Sequence, residues 1–112
     1  MPKHGNINYL QVSRLLFNEE PYKSLSNNAK WLYVILKELE HRYTGKKEHS
    51  FYRSNDELAQ DASFSLSTLK RAKAELLSTD LVETWRAHFV YNKGTPQEKL
   101  SEKRVAHYRI LK

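Results

Sequence analysis

From Ala29 to Tyr43 apolar side chains return every three or four positions, as Ala29, Leu32, Tyr33, Leu36, Leu39 and Tyr43, with Lys30, Lys37, Glu38 and Arg42 on the other faces. This is the period of a helix that buries one stripe. Ser26 stands just ahead as an N-cap, so the pattern predicts a core helix over 26–43. Residues 1–25 read as a lead-in: an extended piece from Tyr9 to Val12, then a one-turn helix opened by Ser13 and stopped before Pro21. After the core helix, Gly45 and the Lys46-Lys47 pair form a loop, and Phe51-Tyr52 supplies a short strand.

Two shorter helical patterns follow. Ser54-Asn55-Asp56-Glu57 has the form of a capping box, which starts a helix over 54–62 with Leu58, Ala59 and Ala62 inward. Ser63 and Phe64 interrupt it, and Ser65 opens another helix over 65–77. On that helix Leu69, Ala72 and Leu76 share one face, while Ser67, Lys70, Arg71 and Ala74 share the opposite one, which is therefore small, polar and basic. From Leu81 to Tyr91 and again from Arg104 to Leu111 the chain is rich in β-formers, so 81–111 reads as a hairpin, with the long connection Asn92 to Lys103 at its tip. Three helices followed by a long-tipped hairpin make a mainly α fold with a C-terminal β-hairpin, the order of a winged helix-turn-helix. The length of 112 residues and the lack of any repeat or linker-like stretch point to one domain over 1–112.

Charge sharpens this picture. The net charge is +6, and residues 81–112 hold seven Lys and Arg against three Asp and Glu, so the predicted wing is the basic part of the chain. Such a balance favours anionic partners, and a helix face free of bulky apolar groups is what the DNA major groove admits. Arg71 and Lys70 are candidates for base edges; Ser67 and Thr68, at the helix N-terminus, for phosphate or base; and Lys73, toward the rim, for a phosphate. Arg53, Ser54 and Asn55 are candidates for positioning on the backbone, and Lys93, Lys99, Lys103 and Arg104 for phosphates along the wing. Double-stranded DNA is thus the expected partner. Any one of these lysines alone would read as ordinary solvated surface.

Other classes find less support. The chain has no Gly-rich phosphate loop, metal-ligand cluster or cysteine, so the expectation is a protein that is not an enzyme and takes no cofactor or metal. Its histidines are scattered, although His88 and His107 could face each other across the hairpin. The absence of cysteine fits the cytoplasm, and neither an apolar run of ~20 residues nor a signal-peptide pattern is seen, so no membrane role is expected. Trp31 and Ile35 make a second apolar stripe on the core helix. Packing against the wing is favoured for it over a homodimer interface, and Trp85 is expected to pack within the hairpin.

The stretch Phe17 to Val82 resembles the N-terminal winged-helix domain of replication initiators from Gram-positive plasmids and phages, the RepA N-terminal type. Tyr22-Lys23-Ser24-Leu25-Ser26 with Ala29-Lys30-Trp31-Leu32-Tyr33 carries most of the likeness, and Leu58-Ala59, Ser65 to Ala72 and Glu75-Leu76 match the helix-turn-helix segment of that group. The resemblance implies binding to origin repeats, pairing as a homodimer on DNA, contact with other replication proteins, and DNA contacts at Ser67, Thr68, Lys70 and Arg71. It departs where such domains commonly have Gly: this chain has Ser63 in the turn and Asp80 before the first wing strand, and Asp tolerates left-handed backbone geometry. A transcription regulator of a mobile element, or a winged-helix module for protein contact in a primosome-type assembly, fits the same residues.

Overall fold

A computed structural model of the chain describes residues 12–44, 50–88, 90–91, 94–97, 99–100 and 104–112. The start of the expected Tyr9 to Val12 extended piece, the Gly45 loop, Lys93, Lys103, His4 and His49 lie outside the described residues. The lead-in holds helix α1 (Leu15–Asn18) and a 3-10 turn (Tyr22–Ser24), with a cis Glu20-Pro21 bond between them. Ser13 opens α1, as its spacing predicts, by accepting the Leu15 amide at 3.2 Å.

Helix α2 (Asn27–Thr44) follows, capped by Ser26, whose hydroxyl accepts the Ala29 amide at 3.1 Å. Ala29, Leu32, Tyr33, Leu36 and Leu39 are buried, as the periodicity requires. Tyr43 departs from the expectation and is exposed. By that turn α2 has run past the core, and the Arg53 guanidinium covers the Tyr43 ring instead, 5.6 Å from its centre. Strand β1 (Phe51–Tyr52) leads to α3 (Asn55–Ala62) and α4 (Leu66–Leu77). Burying a Leu of this core contributes about 1.5–3 kcal/mol, so Leu58, Leu69 and Leu76, all fully buried, hold the helix pair onto α2.

The hairpin is present but is not one uniform ribbon. Strands β2 (Val82–Ala87) and β5 (Val105–Ile110) pair antiparallel over their whole length, and β3 (Val90–Tyr91) pairs with β4 (Lys99–Leu100) as a separate two-stranded extension. The connection that reads as a long loop from sequence is therefore partly strand. The extension carries a turn at 94–97, where Gly94 has φ +81°, a backbone geometry that favours glycine. The sheet order β1-β5-β2 places β5 in the centre. Its inner face carries Tyr108 and Ile110 into the core, with Tyr108 stacked on Phe51 at 5.8 Å. The outer face carries the row Tyr52, His107 and Trp85, in which His107 lies 5.4 and 5.8 Å from the other two rings. The arrangement is a winged helix-turn-helix, with mainly helical content and a small antiparallel sheet at the C-terminal end.

Candidate nucleic-acid interface

The turn between α3 and α4 is built from both caps. Ser54 accepts the Glu57 amide at 3.1 Å while the Glu57 carboxylate accepts the Ser54 amide at 3.2 Å, which completes the expected capping box. At the other end of α3 the Phe64 amide reaches the Ala59 carbonyl at 2.8 Å and the Ser63 amide reaches Gln60 at 3.1 Å, a Schellman closure. Ser63 takes the left-handed conformation there at φ 58°. Serine thus fills the position where glycine is common, with the backbone a glycine would have. The indole N–H of Trp31 donates to the Ala62 carbonyl at 3.0 Å, satisfying one of the last acceptors of α3. Trp31 therefore packs toward the end of α3, not against the wing as its position on the second stripe suggests, and about half of it stays exposed. Ile35 packs against the core from a half-buried position.

Ser65 caps α4. Its hydroxyl accepts the Thr68 amide at 3.2 Å and donates to the Thr68 hydroxyl at 2.9 Å. Thr68 is accordingly half-buried and engaged with the cap, whereas Ser67, Lys70, Arg71 and Ala74 are exposed along one face of α4. Leu66 is exposed at the start of the same helix, which the buried-face pattern alone does not announce. A side chain there offers apolar contact of the kind that suits a thymine methyl.

The remaining sequence candidates divide by what they touch. Arg53 grips Asp61 with two hydrogen bonds, at 2.8 and 3.0 Å, and Glu57 with a third, at 3.0 Å. Its hydrogen bonds to Asp61 hold the guanidinium proton more tightly than in a free arginine. Its reach is spent inside the protein, fastening the β1 to α3 connection onto α3. Asn55, the first residue of α3, accepts from the Lys73 ammonium at 2.9 Å. Lys73 is not a free rim cation: it is half-buried and lies 5.2 Å from the centre of the Tyr108 ring. Burial, with the positive charge of Arg86, pulls its pKa below the usual lysine value. Lys99 and Arg104 are exposed on the wing.

Arg86 is the residue that charge counting along the helices passes over. It is exposed on β2, and strand alternation puts it on the same face as Thr84 and Val82, next to Tyr108 on β5. Its guanidinium donates to the Arg104 carbonyl at 3.1 Å. The charge pattern separates into two groups. Lys37, Arg42, Arg53, Arg109 and Lys112 each face a carboxylate. Lys70, Arg71, Lys73, Arg86 and Arg104 have no carboxylate partner among the described residues; nor do Arg14, Lys23 and Lys30, which belong to the lead-in and α2. Asp56, exposed in the first turn of α3, is the acidic exception near this region.

Two sequence pairings resolve differently from expectation. His107 stands opposite Trp85 in the sheet and stacks on it, so His88, which lies beyond the end of β2, is not its partner. Trp85 packs within the hairpin as expected, between His107 and the Arg109 guanidinium 5.3 Å away. Asp80 has no left-handed geometry; Ser63 is the described non-glycine residue with positive φ. Its carboxylate accepts instead from the Tyr22 hydroxyl and the Lys112 ammonium. No helix among the described residues is long and apolar enough to cross a membrane, and no group of three or more metal-ligating side chains occurs among them.

No family model matches the chain, and no curated protein matches it in sequence. Two solved structures share its fold. One, described as the N-terminal domain of a DNA binding protein, aligns with a TM-score of 0.67 at 20% identity, over 94% of this chain and 75% of that one. The other, a Rep-DNA complex, aligns with a TM-score of 0.60 at 19% identity, again over 94% of this chain and 75% of that one. At these identities the likeness is one of fold.

Proposed function

We propose that the chain binds duplex DNA, without catalysing a reaction on it, as the origin-recognising module of a plasmid or phage replication initiator. The observation that carries this reading is the exposed face of α4, where Ser67, Lys70, Arg71 and Ala74 form a groove-compatible surface whose two cations have no carboxylate partner among the described residues. Lys70 and Arg71 read base edges, Ser67 and the amides at the start of α4 meet phosphate or base, and Leu66 adds apolar contact. Lys99 and Arg104 follow the backbone from the wing. Arg53 acts as a positioning residue through Asp61, and Ser54 and Asn55 fix the N-terminus of α3. The two solved structures of the same fold, one of them a complex with DNA, support the choice of partner.

The test is fluorescence anisotropy on duplex DNA over a range of salt, where log K is expected to fall by ~0.9 per log unit of salt for each phosphate neutralised. A flat response, or no binding at low salt, overturns the reading and favours a protein-contact module built around the exposed Trp31. Footprinting on the surrounding DNA then separates an initiator, which occupies a repeat array, from a regulator, which occupies a promoter. Sedimentation with and without the site reports whether a monomer in solution pairs on DNA, as half-sites ~34–36 Å apart would require.

A further inference from the structure

We propose that Lys73 and Arg86 together hold one phosphate of the DNA backbone, in the angle between the recognition helix and the wing; this rests on the DNA-binding reading above. Lys73 comes from α4 and Arg86 from β2, and the inner face of β5 brings both to Tyr108. The Lys73 ammonium lies over the Tyr108 ring at 5.2 Å, and Arg86 is the diagonal cross-strand neighbour of Tyr108 on the same face. Two like charges are thus drawn to one side chain, and neither makes an ion pair with a carboxylate among the described residues. Elsewhere this chain neutralises comparable cations, as at Arg53 and Arg109. Like charges held together, one of them the half-buried Lys73, oppose folding unless an anion joins them.

Tyr108 is fully buried, and its hydroxyl has no hydrogen-bond partner among the described residues. Asn55 already orients Lys73 by accepting one of its protons at 2.9 Å, which leaves the other ammonium protons for an anion. Arg86 spends one nitrogen on the Arg104 carbonyl and keeps the rest of its fork. A diester phosphate, with a single negative charge and two unesterified oxygens, can accept from both cations at once.

The experiment uses the full chain and a short duplex that it selects from a random-sequence pool, with single phosphates replaced in turn by neutral methylphosphonates. In the unmodified chain one such replacement near the wing is expected to weaken binding. In Arg86→Gln, and separately in Lys73→Met, that same replacement should no longer matter, and each variant's salt slope should fall by ~0.9. Thermal melting of both variants shows that the fold is kept, and either variant suffices for the salt slope. If both slopes are unchanged, or if the two variants silence different phosphates, the shared site is overturned while DNA binding stands. Failure of the unmodified chain to bind duplex DNA overturns both.

Discussion

The Glu75 carboxylate, on the inner flank of α4, accepts from the amide and the hydroxyl of Ser26 at 2.5 and 2.7 Å, so α4 finishes the N-terminal cap of the core helix. One acidic side chain thereby fixes how α4 sits on α2. Replacing it leaves the Ser26 amide to water and frees the helix pair. Glu75→Ala should cost about 1 kcal/mol in urea unfolding, in the range of a lost cap. A double-mutant cycle with Ser26→Ala should return a coupling of roughly 0.5 kcal/mol or more. Additive losses would mean that the contact does no joint work.

Ser63 holds a left-handed backbone at φ 58° in the turn of the helix-turn-helix. A side chain in that region costs about 1–2 kcal/mol, and glycine avoids this while losing about 0.5–1 kcal/mol through its freedom when unfolded. Ser63→Gly is therefore expected to be neutral to stabilising by about 1 kcal/mol, and Ser63→Val to be destabilising by more than that, both read from denaturant midpoints. Equal stability of the two variants would show that the turn relaxes to another conformation.

On the DNA side, Arg71→Ala should lose about 1–3 kcal/mol on the selected site and less on random duplex, while Arg104→Ala should weaken both alike. The ratio of the two affinities is the readout. An Arg71 variant with an unchanged ratio would place base reading elsewhere, with Lys70 and Leu66 as the neighbours to examine next.

The Asp80 carboxylate meets Lys112 and Tyr22, and the hydrogen bond from Lys112, then that from Tyr22, holds its pKa below the usual carboxylate range. A carboxyl depressed in the folded state stabilises above its unfolded pKa and loses that contribution as pH falls through its folded value. The melting-temperature gap between the natural chain and Asp80→Asn should accordingly be constant from pH 7 to about pH 5 and close in stronger acid. A gap that persists at the acid end would assign the effect to packing of Tyr22.

Local signals were the legible ones. Ser26, Ser54 and Ser65 each announce a helix because a cap needs only a side chain and an amide three residues on, and the structure has all three. The exposed face of α4 was readable from its 3.6-residue period. Arg86 and the inward turn of Lys73 were not, because both depend on β5 arriving from far along the chain and presenting Tyr108. The pairing of Arg53 was hidden for the same reason: a basic residue before a capping box looks free until Asp61, one helix length later, is folded back onto it. Asp80 shows the opposite error, in which a residue tolerant of left-handed geometry was kept for its charge.

The central place of β5 in the sheet order β1-β5-β2 bears on how the molecule comes together in time. The helices gather from neighbours in sequence, but β1 has no strand to lie beside until Val105–Ile110 has been made, because Phe51 pairs with Tyr108 and Tyr52 with His107. Closure of such a distant loop slows folding more than it changes final stability. During synthesis the helix pair can therefore be present while the sheet is still unformed, and β5, made long after β1, is the strand whose arrival completes it.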